Sequence, residues 1–377
     1  MLNLNKIEIL DSTLREGEQT PGVSFTINEK VTIAKLLDEI GVDFIEIGHP
    51  AVSDDLYESV VVLNNLNLKA NRIVHGRSMK SDINDAHTIG VPWMGMFFGT
   101  STLSLKLKHN MTQNKALNKI ETAIKYGKDK GLKIRFTAED ATRTNLDFLL
   151  RVAEVAALAG ADRFSLADTV GVLTSEKVKY LVKNVVEAID IPVHLHCHND
   201  FGLATSNSLE GLKNGARCID VTANSLGERS GLASLAEVLL SLVELYDIES
   251  NWDLSKIIKL SSFVEKASGI KLQKNSPILG RNAFRHKAGL HTKSILINPS
   301  SYEPIAPEKL NLERSYTIDK YSGVSGILDR FKKIGIKINK PTAKGILLEI
   351  KSKPNVANWS DKELKKILAK KNVNNYN

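Results

Sequence analysis

His196-Cys197-His198-Asn199-Asp200 places two imidazoles two residues apart. On a strand, residues i and i+2 share a face, so His196 and His198 can turn two nitrogens toward one metal ion while Cys197 faces away. A third ligand must come from elsewhere in the chain. The apolar run Ile7-Glu8-Ile9-Leu10-Asp11-Ser12-Thr13 reads as a strand and leads into Leu14-Arg15-Glu16-Gly17-Glu18-Gln19. Arg15 and Glu16 therefore fall just past a strand end, where an active-site loop begins. Two imidazoles, a carboxylate and open remaining positions suit a catalytic divalent metal better than a closed structural one.

Those groups need strands that deliver them to one end of a sheet. From the start of the chain to about residue 245, β-rich runs at 7–13, 44–48, 72–76, 93–99, 133–138, 163–168, 192–198 and 218–224 alternate with helical patterns, among them 28–40, 115–130, 145–159, 175–188 and 232–242. Eight such βα units predict a (β/α)8 TIM barrel over residues 1–250. The barrel brings its own check, because functional side chains belong at the C-terminal ends of its strands. Arg15 and Glu16, His75, Glu139 and Asp140, Asp168 and Thr169, His196 and His198, and Asn224 all fall there. His194 shares the parity of His196 but lies deeper in the strand, where a structural role inside the barrel is expected. Residues 251–377 lose the strict alternation. Helical segments near 254–268, 323–334 and 341–352 and a final charged helix predict a small, mainly helical appendage of linker helices, lid and helical subdomains.

Composition excludes several classes. With 377 residues, 42% hydrophobic and 25% charged, the chain is ordinary globular protein and not collagenous, disordered or a disulfide scaffold. Two cysteines, Cys197 and Cys218, in strand-like segments point to a reducing compartment, and a cytoplasmic protein is expected. No apolar run approaches membrane-spanning length, and residues 1–6 leave no room for a signal-peptide core, so neither a membrane nor secretion is expected. The formal charge of +8 comes from scattered lysines, several on the solvated face of a helix at 362–371. No nucleic-acid partner is expected, and a basic surface serves instead to attract anionic small substrates.

The segment Leu14-Arg15-Glu16-Gly17-Glu18-Gln19, followed ten residues later by Lys30, and the segment 193–206 around His196, His198, Asn199, Asp200 and Gly202 resemble the two signatures of the α-isopropylmalate and homocitrate synthase family, metal-dependent condensing enzymes of the DRE-TIM type. His286-Lys287-Ala288-Gly289-Leu290-His291 and Asn298-Pro299-Ser300-Ser301-Tyr302-Glu303 resemble the lid segment of that family. The resemblance implies a Claisen-type condensation of acetyl-CoA with a 2-oxo acid on a divalent metal (Zn, Mn or Mg) held by Glu16, His196 and His198. It implies that Arg15 stands beside the keto oxygen as charge develops there, and that the acetyl methyl is deprotonated by a set made of His291, Glu139 and Tyr302, with His291 and Glu139 the essential pair. Substrate contacts fall to Arg15, Gln19, His75, Arg135, Thr137 and Thr169.

The choice of oxo acid follows from His75 and Arg135, which resemble the homocitrate synthases of the family. A second substrate carboxylate needs a cation, and Arg135 with Thr137 on the same strand face supplies one, so the implied substrates are acetyl-CoA and 2-oxoglutarate, giving homocitrate. His49 in Gly48-His49-Pro50, Thr137 in place of a serine and Tyr321-Ser322-Gly323 depart from that pattern. They leave open a sister enzyme that makes 2-isopropylmalate, citramalate or citrate from another oxo acid. A metal-dependent carbon–carbon lyase is a further alternative, opposed by the His291 and Tyr302 segment. The family also implies a homodimer whose lid residues are shared across the interface, and the chain end soon after the lid implies no leucine-binding regulatory domain. The turn Gly227-Glu228-Arg229-Ser230-Gly231 reads either as a backbone nest near substrate or as a plain loop.

Overall fold

Eight parallel strands pair in sequence order and close on themselves in the computed structural model, which describes residues 7–374. The expectation attached to residues 1–6 lies outside the described residues. The strands are β1 (Glu8–Asp11), β2 (Phe44–Glu46), β3 (Asn71–Arg77), β4 (Trp93–Gly99), β5 (Lys133–Glu139), β6 (Arg163–Asp168), β7 (Val193–Cys197) and β8 (Cys218–Val221). β8 pairs with β1 from Glu8↔Cys218 to Asp11↔Val221 and completes the ring. Strands covered by helices outside and by side chains inside are buried on both faces, which is why β4 reads as an unbroken apolar run and every residue of β6 and β7, polar ones included, is buried.

The helices that follow the strands are α1 (Ile27–Ile40), α2 (Asp54–Asn64), α3 (Lys80–Ile89), α4 (Gln113–Asp129), α5 (Leu146–Leu158), α6 (Ser175–Ala188), α7 (Ala204–Lys213) and α8 (Leu235–Leu245). Local sequence sets their ends. Thr26 and Glu29 form a reciprocal capping box at the start of α1, and Gly41 ends it at φ 95°, a left-handed conformation that a Cβ would penalise. The barrel is a (β/α)8 TIM barrel. At the starts of the strands, Leu10, Phe44, Ile73, Trp93 and Cys218 cluster. The Arg163 guanidinium lies over the rings of Phe44 and Trp93 and pairs with Glu8 at 2.7 Å. This plug leaves the other end, where the strands finish, as the open one.

The chain divides into two compact units at Lys271/Leu272, later than the 250/251 boundary read from the sequence. Helix α9 (Ile257–Ser268) accounts for the shift, because it packs on α1. Its Ser261 exchanges two hydrogen bonds with Asn224, at 2.9 and 2.6 Å. Asn224, placed among the strand-end candidates, thus serves to hold α9. The second unit carries a short parallel pair, β9 (Arg285–His286) and β10 (Ser315–Tyr316), and helices α10 (Gly289–Ile295), α11 (Val324–Lys333), α12 (Lys340–Lys351) and α13 (Asp361–Asn374). Its own core gathers Ile327, Phe331, Ile346, Ile350, Trp359 and Leu364. Among the described residues, no helix is long and apolar enough to cross a membrane.

Candidate active site

Past the end of β1 the chain turns sharply. The Gly17 amide donates to the Ser12 carbonyl at 3.1 Å, and the Arg15 amide to the same oxygen. That turn aims Glu16 back over the barrel mouth. From β7, His196 and the following His198 project to the same place, and the carboxylate and imidazole ligand atoms of Glu16, His196 and His198 all lie within 4.8 Å of one another, every residue buried. Asp220 on β8 fixes the imidazoles. Its Oδ2 lies 2.7 Å from His196 Nδ1 and its Oδ1 lies 2.6 Å from His194 Nε2. Binding through Nδ1 leaves Nε2 of His196 free, 3.2 Å from Nε2 of His198, while the buried Nδ1 of His198 has no partner. Burial and the neighbouring His196 push His198 down to about 3, so it is neutral near pH 7, the form that ligates metal. Two facing imidazole nitrogens and an adjacent carboxylate fit a divalent cation, with Asp220 orienting one ligand from behind.

The turn at 227–231 helps to hold the third ligand. The Glu228 amide donates to Glu16 Oε1 at 3.1 Å, and Arg229 clamps Asp200 at 2.7 and 2.9 Å while reaching the Thr169 carbonyl at 2.8 Å. Burial disfavours the Glu16 charge, but Arg15 and the two histidines outweigh it and hold the carboxyl below its ordinary range.

A cavity of about 390 Å³ opens at this end of the barrel. Its lining includes Arg15, Glu16, Gln19, His75, Arg135, Thr137, Glu139, Thr169, His196 and His198. The site residues read from the barrel sequence therefore share one cavity. Arg135 is 2% exposed. Its Nη2 donates to Glu46 Oε1 at 2.8 Å, its Nη1 stands 3.5 Å from both oxygens of Asp220, and its Nε is unpartnered, as is the Thr137 hydroxyl. His75 stacks on Phe97 with ring centres 4.7 Å apart and sets Nδ1 3.2 Å from Glu46 Oε1. Burial and Arg15 push it down to about 4. Glu139 at the end of β5 forms an ion pair with Lys108, which a π-helical turn at Ser104–His109 carries to the cavity. The Thr169 hydroxyl accepts from the Asp140 amide at 2.8 Å.

In the second unit, His291 and Tyr302 stack with ring centres 3.9 Å apart and planes inclined by 22°. Both side chains are exposed.

Residues 6–264 match the HMGL-like family, and residues 278–357 match the homocitrate synthase post-HMGL domain-like family. The chain belongs to the HMGL-like family. It is 45% identical over 367 residues to the homocitrate synthase of Sulfurisphaera tokodaii, covering 96% of this chain and 80% of that protein. The homocitrate synthase of Sulfolobus acidocaldarius is 44% identical over 364 residues, with 95% and 78% covered. Among solved structures, the HMG-CoA lyase of Bacillus subtilis superposes with a TM-score of 0.64 at 21% identity, over 73% of this chain and 97% of that one, a likeness of fold alone.

For this HMGL-like chain, sequence reasoning missed Glu46, Asp220 and Lys108. Glu46 and Asp220 each stand alone as a carboxylate in an otherwise apolar strand, and that anomaly was the available signal, since a buried charge persists only where it is paired. Lys108 gave no such signal. His49, singled out as a departure, sets Nε2 3.5 Å from Asp82 Oδ2 and meets His75 edge-on with centres 5.5 Å apart. Asp168 accepts from the amides of Val172 and Leu173, both at 3.0 Å, and so shapes the loop after β6.

Proposed function

We propose that the chain condenses acetyl-CoA with 2-oxoglutarate to give homocitrate and free CoA. One observation carries the reading: one cavity at the barrel mouth is lined both by a metal-competent set, Glu16, His196 and His198, and by Arg135, His75 and Thr137, groups suited to a carboxylate. The identity of 45% to a homocitrate synthase over nearly the whole chain supports it.

Glu16, His196 and His198 would hold a divalent metal, Zn, Mn or Mg, by mixed N and O ligation. When bound, the metal supplies Lewis acidity to the keto group that is attacked. Arg15 and Gln19 face the reacting end of the oxo acid, and the Arg15 guanidinium offers a permanent cation to the oxygen that gains charge. Arg135, with the unpartnered Thr137 hydroxyl and His75, takes the distal carboxylate, and Thr169 the near one. His291 paired with Glu139 removes a proton from the methyl of acetyl-CoA, with Tyr302 stacked on His291 to orient it. The methyl carbon then bonds to the keto carbon, the former keto oxygen ends as a hydroxyl, and water cleaves the thioester to release CoA and a third carboxylate.

The lid segment that carries His291 and Tyr302 completes the barrel of a second copy, so the working unit is a homodimer. The reaction draws on acetyl-CoA and a 2-oxo diacid, which suits a cytoplasmic enzyme. Incubation with both substrates and a divalent metal, followed by mass analysis, tests the reading. The expected product has the mass and chromatographic behaviour of homocitrate, and its absence overturns the reading.

A further inference from the structure

We propose that Glu46 is the positioning residue that sets the spacing between the guanidiniums of Arg15 and Arg135, and through it the chain length of the oxo diacid that is accepted. The proposal rests on the reading that Arg15 serves the reacting end of the substrate and Arg135 its distal carboxylate.

Glu46 is the last residue of β2 and is 0% exposed. A buried carboxylate is stable only when its oxygens are fully engaged, and here both are. Oε2 accepts from Arg15 Nε at 2.7 Å and from Ser12 Oγ at 2.5 Å. Oε1 accepts from Arg135 Nη2 at 2.8 Å and lies 3.2 Å from His75 Nδ1. Burial opposes its ionisation, but Arg15 and Arg135 outweigh burial and hold it well below the ordinary carboxylate range. Arg15, His75 and Arg135 line the cavity, and Glu46 ties all three from behind. The two oxygens belong to one rigid planar group, so the distance between the two cations is fixed by that group. The other acid near Arg135, Asp220, stands at 3.5 Å, which leaves Glu46 as the close contact that places this guanidinium.

The opposite side of Arg135 is shaped to the same end. Gly95 on β4 is its register partner, and a Cβ at Gly95 would stand 2.7 Å from Arg135 Nη2. The missing side chain gives the guanidinium the room in which it reaches Glu46. A substitution at Gly95 therefore displaces Arg135 while leaving the Glu46 charge intact.

Thiol release with oxaloacetate, 2-oxoglutarate and 2-oxoadipate, diacids differing by one carbon, tests the proposal in the full-length enzyme, its Glu46→Gln variant and its Gly95→Ala variant. Wild type selects 2-oxoglutarate. In Glu46→Gln, kcat/KM for 2-oxoglutarate falls about 30-fold or more as a charge-assisted contact is lost, and its advantage over the other two diacids shrinks by about 10-fold. Gly95→Ala shrinks that advantage in the same direction, and it decides the matter alone if Glu46→Gln does not fold. A merely structural role lowers kcat/KM for every diacid in parallel, and wild-type ratios in the variants that fold overturn the proposal while the proposed function stands. A wild type that fails to use 2-oxoglutarate overturns the proposed function, and this proposal with it.

Discussion

Asp220 Oδ2 lies 2.7 Å from His196 Nδ1, and the same carboxylate holds His194 through its other oxygen. A carboxylate behind a ligating imidazole fixes its tautomer and raises its basicity, typically contributing about 10–100-fold in metal affinity. Asp220→Asn is expected to weaken divalent metal binding by about that factor, read by competition against a coloured chelator. Unchanged affinity would mean that His196 needs no such support.

Removing a first ligand has a larger effect. His196→Ala and His198→Ala should each strip the protein of bound divalent metal on dialysis and abolish turnover, as measured by elemental analysis alongside thiol release. Full metal content with full activity in either variant would dismiss the site formed with Glu16.

Arg135 is assigned to the distal substrate carboxylate, and only the oxo acid carries one. Arg135→Ala should raise KM for 2-oxoglutarate by about 100-fold, the order expected for a lost hydrogen bond between charged groups. KM for acetyl-CoA should stay within about 3-fold. The same change strands Glu46 and Asp220 without their shared guanidinium, so a stability loss of about 3–5 kcal/mol is expected in denaturant titration.

Asp11 yields a pH prediction. Burial, reinforced by the charges of Asp220 and Glu46, pushes its carboxyl up to about 7 against the hydrogen bonding of Thr13. Its Oδ1 accepts the Thr13 amide at 2.8 Å, and its Oδ2 has no partner. The folded carboxyl keeps its proton to higher pH than the unfolded one, so its contribution to stability is intact below about pH 4 and is lost as pH rises through about 7, at no more than about 1.4 kcal/mol per unit. Asp11→Asn keeps an acceptor for Thr13 and cannot ionise. Its stability relative to wild type should climb from about pH 4 to about pH 7 and then level off, as followed by urea midpoints. A difference independent of pH would show that Asp11 does not titrate in that range.

The barrel was legible because its signal is local and repeated. Each strand carries its own apolar run, and β4, from Trp93 to Gly99, and β6, from Arg163 to Asp168, begin and end where the pattern places them. The metal-competent set was legible for a similar reason, since His196 and His198 announce themselves by parity. What binds the site together was not. Glu46 meets partners 29 to 89 positions distant in the chain, and Asp220 reaches His194 and His196 across a strand pair. No window of sequence contains both ends of such a contact. The first unit's extension to Lys271 was not legible because α9 has an ordinary amphipathic pattern, and its packing on α1 and its hydrogen bonds to Asn224 are contacts between distant parts of the chain.

The proposed sharing of the lid predicts complementation. Glu16→Ala removes a metal ligand, and His291→Ala removes a proposed base. Mixed after subunit exchange, the two inactive proteins should regain up to about a quarter of wild-type activity, because a mixed dimer has one site with an intact metal set and an intact lid. Persistent inactivity with mixed dimers demonstrated by native mass measurement would place His291 in the service of its own barrel.

The most direct measurement is thiol release from acetyl-CoA with a panel of 2-oxo acids, run with added divalent metal and again after chelation. The account predicts the highest kcat/KM for 2-oxoglutarate, little turnover with pyruvate or 2-oxoisovalerate, and loss of activity on chelation that added metal restores. A preference for pyruvate or 2-oxoisovalerate, or activity that survives complete metal removal, would contradict it.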